Sequence, residues 1–86
     1  MFVIVTYDVS AKRVAKVMKI CRKYLNHVQK SVFEGMISDA GLSGLKREIT
    51  NKIDPAEDQI CIYEFSSLKF TQKEMIGVER EQGNII

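Results

Sequence analysis

Phe2-Val3-Ile4-Val5-Thr6-Tyr7-Asp8 is the stretch that decides the fold. A nearly unbroken apolar run, rich in β-branched and aromatic side chains, marks a strand buried in the middle of a sheet. It ends on a carboxylate and, after Val9-Ser10, gives way to a long basic helical pattern. A buried strand that delivers one acid beside a helix start places a polar group at a working edge of the sheet. Asp8 is therefore a candidate functional residue. The competing reading is that Asp8, or more readily Ser10, caps the next helix.

From Ala11 to Leu25 the apolar positions Val14, Val17, Met18, Cys21, Tyr24 and Leu25 recur at helical spacing and form one core stripe. The complementary face holds Lys12, Arg13, Lys16, Lys19, Arg22 and Lys23 and no acid. Like charges one turn apart cost about 0.2–0.5 kcal/mol per pair. A face of one sign without relieving acids points to a polyanion contact rather than to plain solvation. Asn26-His27 closes the helix, and Val28 to Phe33 alternates as a second strand. Glu34-Gly35 reads as a turn or bulge, with Met36-Ile37 as a short third strand. Ser38 or Asp39 caps a second helix on which Leu42, Leu45, Ile49 and Ile53 share a face, and Asp54-Pro55 ends it.

Gln59-Ile60-Cys61-Ile62-Tyr63-Glu64-Phe65 is a further strong strand and the natural neighbour of the first. Strand, helix, strand, strand, helix, strand is the ferredoxin-like α+β arrangement (βαββαβ). Met75, Ile76 and Val78 predict an extra C-terminal strand at residues 72–80. A strand appended to a complete small sheet finds its partner on the edge of another copy, which predicts a homodimer.

The 86 residues are expected to form one domain, small enough for a second copy to add useful buried surface. No apolar run approaches the ~20 residues that span a bilayer. Asp8 and Lys12 interrupt any signal-peptide pattern, so a cytoplasmic protein without membrane contact is expected. Cys21 and Cys61 lack ligand partners at zinc spacing and read as reduced core residues. The net charge of +2 conceals an asymmetry. Residues 1–33 hold seven basic side chains, including Lys30, around the single acid Asp8, and the remainder carries ten acids against six bases.

Glycine-rich phosphate loops, HExxH and CxxC motifs are absent from the sequence. His27 and Ser31 stand four residues apart, a spacing open to a Ser–His device but common by chance. One carboxylate per chain is too few for a metal site that cleaves phosphodiesters. Two copies about a twofold axis would bring two Asp8 side chains together, a pair suited to Mg²⁺, which takes oxygen ligands and keeps several waters.

Val3-Ile4-Val5-Thr6-Tyr7-Asp8-Val9 before a basic helix, then Val28-Gln29-Lys30-Ser31-Val32-Phe33-Glu34-Gly35, resembles the CRISPR-associated Cas2 family. Ile60-Cys61-Ile62-Tyr63, Ile76-Gly77-Val78-Glu79 and Asn84-Ile85-Ile86 continue the resemblance in order along the chain. The resemblance implies a ferredoxin-like homodimer whose C-terminal strand completes the partner's sheet. It implies a role in spacer acquisition, the adaptation step of antiviral defense, bridging copies of the Cas1 integrase. It also implies a Mg²⁺-dependent endonuclease acting on single-stranded RNA or double-stranded DNA, with Asp8 as metal ligand and catalytic group. Tyr7, Ser31 and Phe33 match the other catalytic-region positions. A purely structural adaptor and a stand-alone toxin-type ribonuclease are the alternatives. Two departures stand out: Ser10-Ala11-Lys12 replaces acids that many members carry, and His27 replaces an arginine. His27 joins Lys12, Arg13, Lys16, Lys19, Arg22, Lys23 and Lys30 as an expected nucleic-acid contact, one that steadies phosphate charge mainly when protonated.

Overall fold

The computed structural model describes residues 1–66 and residue 76. The elements run β1 (Phe2–Asp8), α1 (Ala11–Tyr24), β2 (Asn26–Gln29), β3 (Val32–Met36), α2 (Asp39–Thr50) and β4 (Gln59–Phe65). The sheet order is β2-β3-β1-β4, and every neighbouring pair is antiparallel. β3 is inserted between the parallel strands β1 and β2, as in the ferredoxin-like fold. The expected strand at residues 72–80 falls outside the described residues.

β1 is central, pairing with β3 from Phe2 to Thr6 and with β4 along its whole length. Val3, Val5 and Tyr7 are buried beneath the helices, and Phe2, Ile4 and Thr6 face the other way and are half-buried. That second face continues across the ladder. Phe65, Tyr63 and Cys61 stand opposite Phe2, Ile4 and Thr6, and Met36 stands opposite Phe2 on β3. Met36 is 60% exposed and Tyr63 52% exposed, so the sheet presents an apolar surface on the side away from its helices.

α1 lays Val17, Met18, Ile20 and Cys21 on the sheet, and burial pushes the Cys21 thiol up to about 12. Its start is not capped as the sequence suggested. Ser10 occupies the N-cap position without a side-chain bond, and the Ser10 N–H donates instead to Asp58 Oδ1 at 2.8 Å. Asp58 also accepts from the Asp54 N–H at 2.8 Å and from Arg13 Nε at 2.5 Å, which ties the loop before β4 to the first turn of α1.

α2 begins at Ser38, whose Oγ accepts from the Gly41 N–H at 3.0 Å, and it buries Leu42, Leu45 and Ile49. It stops at Thr50, short of Asp54-Pro55, with Asn51 as its C-cap. Gly44 faces α1 so closely that a Cβ there would lie 3.0 Å from the Tyr24 hydroxyl. The glycine lets Tyr24 pass across α2 to donate to Glu48, which also pairs with Lys23.

The hairpin departs from the sequence reading. The expected strand over residues 28–33, the turn at Glu34-Gly35 and the short strand at Met36-Ile37 are replaced by a turn at Lys30-Ser31 and one strand through Gly35. Gly35 is buried inside β3 opposite Val3, and a Cβ there would sit 3.4 Å from Leu25 Cδ2. The glycine therefore serves the close approach of the α1–β2 junction to β3, not a reversal of the chain. Among the described residues no helix is long and apolar enough to cross a membrane.

Candidate functional site

β1 carries Asp8 out of the sheet to an exposed position, opposite Gln59 at the start of β4. On the other side stands the Lys30-Ser31 turn, held to β1 because the Tyr7 N–H donates to the Ser31 carbonyl at 3.1 Å. Tyr7, Asp8, Val9, Val14, Lys30 and Ser31 line an open cavity of about 260 Å³ between them. Three of the residues expected at a catalytic site, Asp8, Tyr7 and Ser31, thus meet at one place, with the cation Lys30 beside them.

Tyr7 does not present its hydroxyl as a base. The hydroxyl donates to the Lys30 carbonyl at 3.1 Å, and burial, with the neighbouring Cys21 thiol, pushes it up to about 12 against a smaller opposing pull from Arg22. It remains a protonated donor at neutral pH. Phe33 is fully buried on the helix side of the sheet, stacked beneath Tyr7 and His27 with ring centroids 6.3 and 4.4 Å away. The side chain expected in the catalytic set is therefore a floor to the site, without a face for a ligand.

His27, expected among the nucleic-acid contacts, is 6% exposed. The reason is its register: it pairs with Phe33, which pairs with Val5, so all three share the row that packs under α1. Its ring lies parallel to Phe33 within 8° and its Nε2 is 3.1 Å from the Lys30 carbonyl. A carbonyl only accepts, so Nε2 carries the proton in this contact, and the His27 Nδ1 is buried without a partner among the described residues. The Ser–His arrangement is not formed, because His27 is directed to the turn backbone.

The basic face also divides. Arg13 is turned inward, with its guanidinium on Asp58 and on Glu57 at 2.7 Å, and its side chain is 15% exposed. Hydrogen bonds to Asp58 and then Glu57 raise Arg13 above its ordinary range, and the Arg13 guanidinium holds the Asp58 carboxyl well below the usual carboxylate range. Lys23 is engaged with Glu48. Lys12, Lys16, Lys19, Arg22 and Lys30 are exposed and form no ion pair among the described residues. Lys12, Lys16 and Lys19, four and three residues apart, lie along one helix face. Asp58 and the Lys30 carbonyl are the site-shaping groups the sequence reading missed. A backbone acceptor leaves no sequence signal, and a lone acid before a strand leaves little.

Among the described residues no three His, Cys, Asp or Glu side chains gather to hold a metal. Asp8 and Ser31 carry oxygen donors of the kind Mg²⁺ takes, but the described residues lining the cavity include a single carboxylate.

Comparison with known proteins agrees with the resemblance. The family described as CRISPR associated protein Cas2 matches residues 1–73. A CRISPR-associated endoribonuclease Cas2 from Thermotoga maritima is 45% identical over 86 residues, covering 100% of this chain and 99% of the relative. A CRISPR-associated endoribonuclease Cas2 from Archaeoglobus fulgidus is 43% identical over 82 residues, covering 95% of this chain and 89% of the relative. The crystal structure of Streptococcus pyogenes Cas2 at pH 6.5 superposes with a TM-score of 0.78 at 35% identity, over 90% of this chain and 100% of that one.

Proposed function

The chain belongs to the Cas2 family of CRISPR-associated proteins, and from that premise we propose that it is a Mg²⁺-dependent endonuclease of CRISPR adaptation, working as a homodimer. The observation that carries the reading is the exposed Asp8 on the rim of a cavity whose other wall is the Lys30-Ser31 turn. The apolar sheet face of Phe2, Ile4, Tyr63, Phe65 and Met36 gives a second copy a surface to bury. The twofold operation then pairs the two Asp8 carboxylates, which supplies the ligand that one chain lacks.

Mg²⁺ bound there would neutralise charge on the scissile phosphate and acidify water for attack. The chain's own groups do the rest. Lys30 draws a phosphate to the cavity, and Lys12, Lys16, Lys19 and Arg22 hold the backbone of RNA or duplex DNA along α1. The Ser31 hydroxyl offers one hydrogen bond at the rim. Tyr7 neither takes nor gives a proton, because its hydroxyl is committed to the turn.

The test is cleavage of single-stranded RNA and duplex DNA by wild type and Asp8→Asn, each with Mg²⁺ or EDTA. Cleavage that needs both Asp8 and Mg²⁺ supports the enzyme and names its substrate. Absence of cleavage by a folded dimer supports the second reading, a structural adaptor that holds DNA between copies of the Cas1 integrase. The single carboxylate among the described residues that line the cavity favours that second reading.

A further inference from the structure

The Lys30-Ser31 turn has an unusual construction. A two-residue loop between antiparallel strands is normally a type I′ or II′ turn, which needs positive φ and therefore favours Asn-Gly or Gly. Lys30-Ser31 has neither glycine nor asparagine, and no non-glycine described residue has positive φ. A register shift between His27 and Gln29 accompanies it, leaving Val28 as the extra residue on β2. The turn's own sequence thus gives its conformation little support, and that support comes from neighbouring side chains.

Two side-chain donors converge on one atom. The Lys30 carbonyl accepts from the Tyr7 hydroxyl at 3.1 Å and from the His27 Nε2–H at 3.1 Å, using both of its lone pairs. Beside it the Ser31 carbonyl accepts from the Tyr7 N–H. His27 is itself fixed by its stacking on fully buried Phe33, so the donor cannot swing away without opening the core.

We propose that His27 is a positioning residue: through the Lys30 carbonyl it sets the turn whose Lys30 and Ser31 line the cavity together with Asp8. The inference rests on the nuclease reading for its catalytic consequence, but its structural half stands apart from that reading. Among the described residues the other ring nitrogen, Nδ1, is buried without a partner, so the turn carbonyl is the ring's one hydrogen-bond partner there.

The experiment compares wild type with His27→Phe, which keeps a ring on Phe33 and loses the donor, and His27→Gln, whose amide N–H reaches the Nε2 position. Hydrogen exchange of the Tyr7 amide reads attachment of the turn, with the other β1 amides as the control for folding. Protection at Tyr7 is expected to fall about tenfold in His27→Phe, the effect of losing roughly one hydrogen bond, and to recover in His27→Gln. With Mg²⁺ and the cleaved substrate, kcat/KM falls in His27→Phe, and His27→Gln restores it. Should His27→Phe fail to fold, His27→Leu, which also fills the core and lacks the donor, is read in the same way. Unchanged Tyr7 protection in a folded His27→Phe overturns the inference, as does protection that His27→Gln does not recover. A wild type that cleaves neither nucleic acid overturns the nuclease reading, and the exchange result then decides the inference alone.

Discussion

Replacing Arg13 and replacing Lys16 by alanine should have opposite consequences, although both lie in the same basic helix. Lys16 is exposed, whereas Arg13 is spent on Asp58 and Glu57. The structure leaves Lys12, Lys16, Lys19, Arg22 and Lys30 for phosphates, five of the seven bases in residues 1–33. Counterion release then sets the slope of log K against log salt near −0.9 per contact, or about −4.5 for five contacts on B-DNA. Between about 50 and 200 mM salt that slope weakens binding on the order of 500-fold. Had all seven bases engaged, the slope would be about −6.3. Fluorescence anisotropy with a labelled duplex measures it per bound protomer. Lys16→Ala should reduce the slope by about 0.9 and leave thermal stability nearly unchanged. Arg13→Ala should keep the slope and lower the melting temperature, because Asp58 loses its main charged partner. A slope near zero would refute the α1 footprint, and an Arg13→Ala slope reduced like that of Lys16→Ala would refute the inward assignment.

Asp58 ionises in the folded state below the unfolded value of about 3.9, so its stabilisation is complete above that pH and is lost as pH falls toward its folded value. Asp58→Asn should therefore be less stable than wild type near neutrality, and the gap should narrow on acidification; melting curves that stay parallel from neutral to acid pH would contradict it. Phe33→Ala should cost about 3–5 kcal/mol in urea unfolding, a core defect, so its loss of activity would follow its loss of fold. Tyr7→Phe should leave phenolate titration below about pH 10 unaltered, since the Tyr7 hydroxyl is pushed up to about 12; disappearance of a step near neutrality would make Tyr7 the base it is argued not to be.

Which features were legible in the sequence follows from how local their causes are. β1 and the two helices are written in short-range periodicity, and they formed where Val3, Val5, Val17, Leu42 and Leu45 predicted. Asp8 was legible because it breaks an apolar run at its end. The hairpin was not, because Gly35 is the strongest turn signal in the segment and serves a packing contact with Leu25 instead. The true turn, Lys30-Ser31, has neither glycine nor asparagine and is held by Tyr7, 23 positions from Lys30. Basic residues engaged by distant acids were invisible for the same reason: the partner of Arg13 is 45 residues distant and that of Lys23 is 25. His27 looked like a phosphate contact because it stands after the basic helix, where the resemblance places an arginine. Its pairing opposite Phe33, on the row that continues to Val5, puts it in the core.

The pairing of Asp8 residues is the claim on which the proposed chemistry turns, and subunit mixing tests it. Wild type and Asp8→Asn are mixed in equal amounts, allowed to exchange subunits, and assayed with Mg²⁺ on the cleaved substrate. If each centre needs both carboxylates, only wild-type pairs work, and random pairing leaves about a quarter of the activity of the same total protein as wild type. Activity of one half would mean that each chain acts through its own Asp8, and would contradict a shared site.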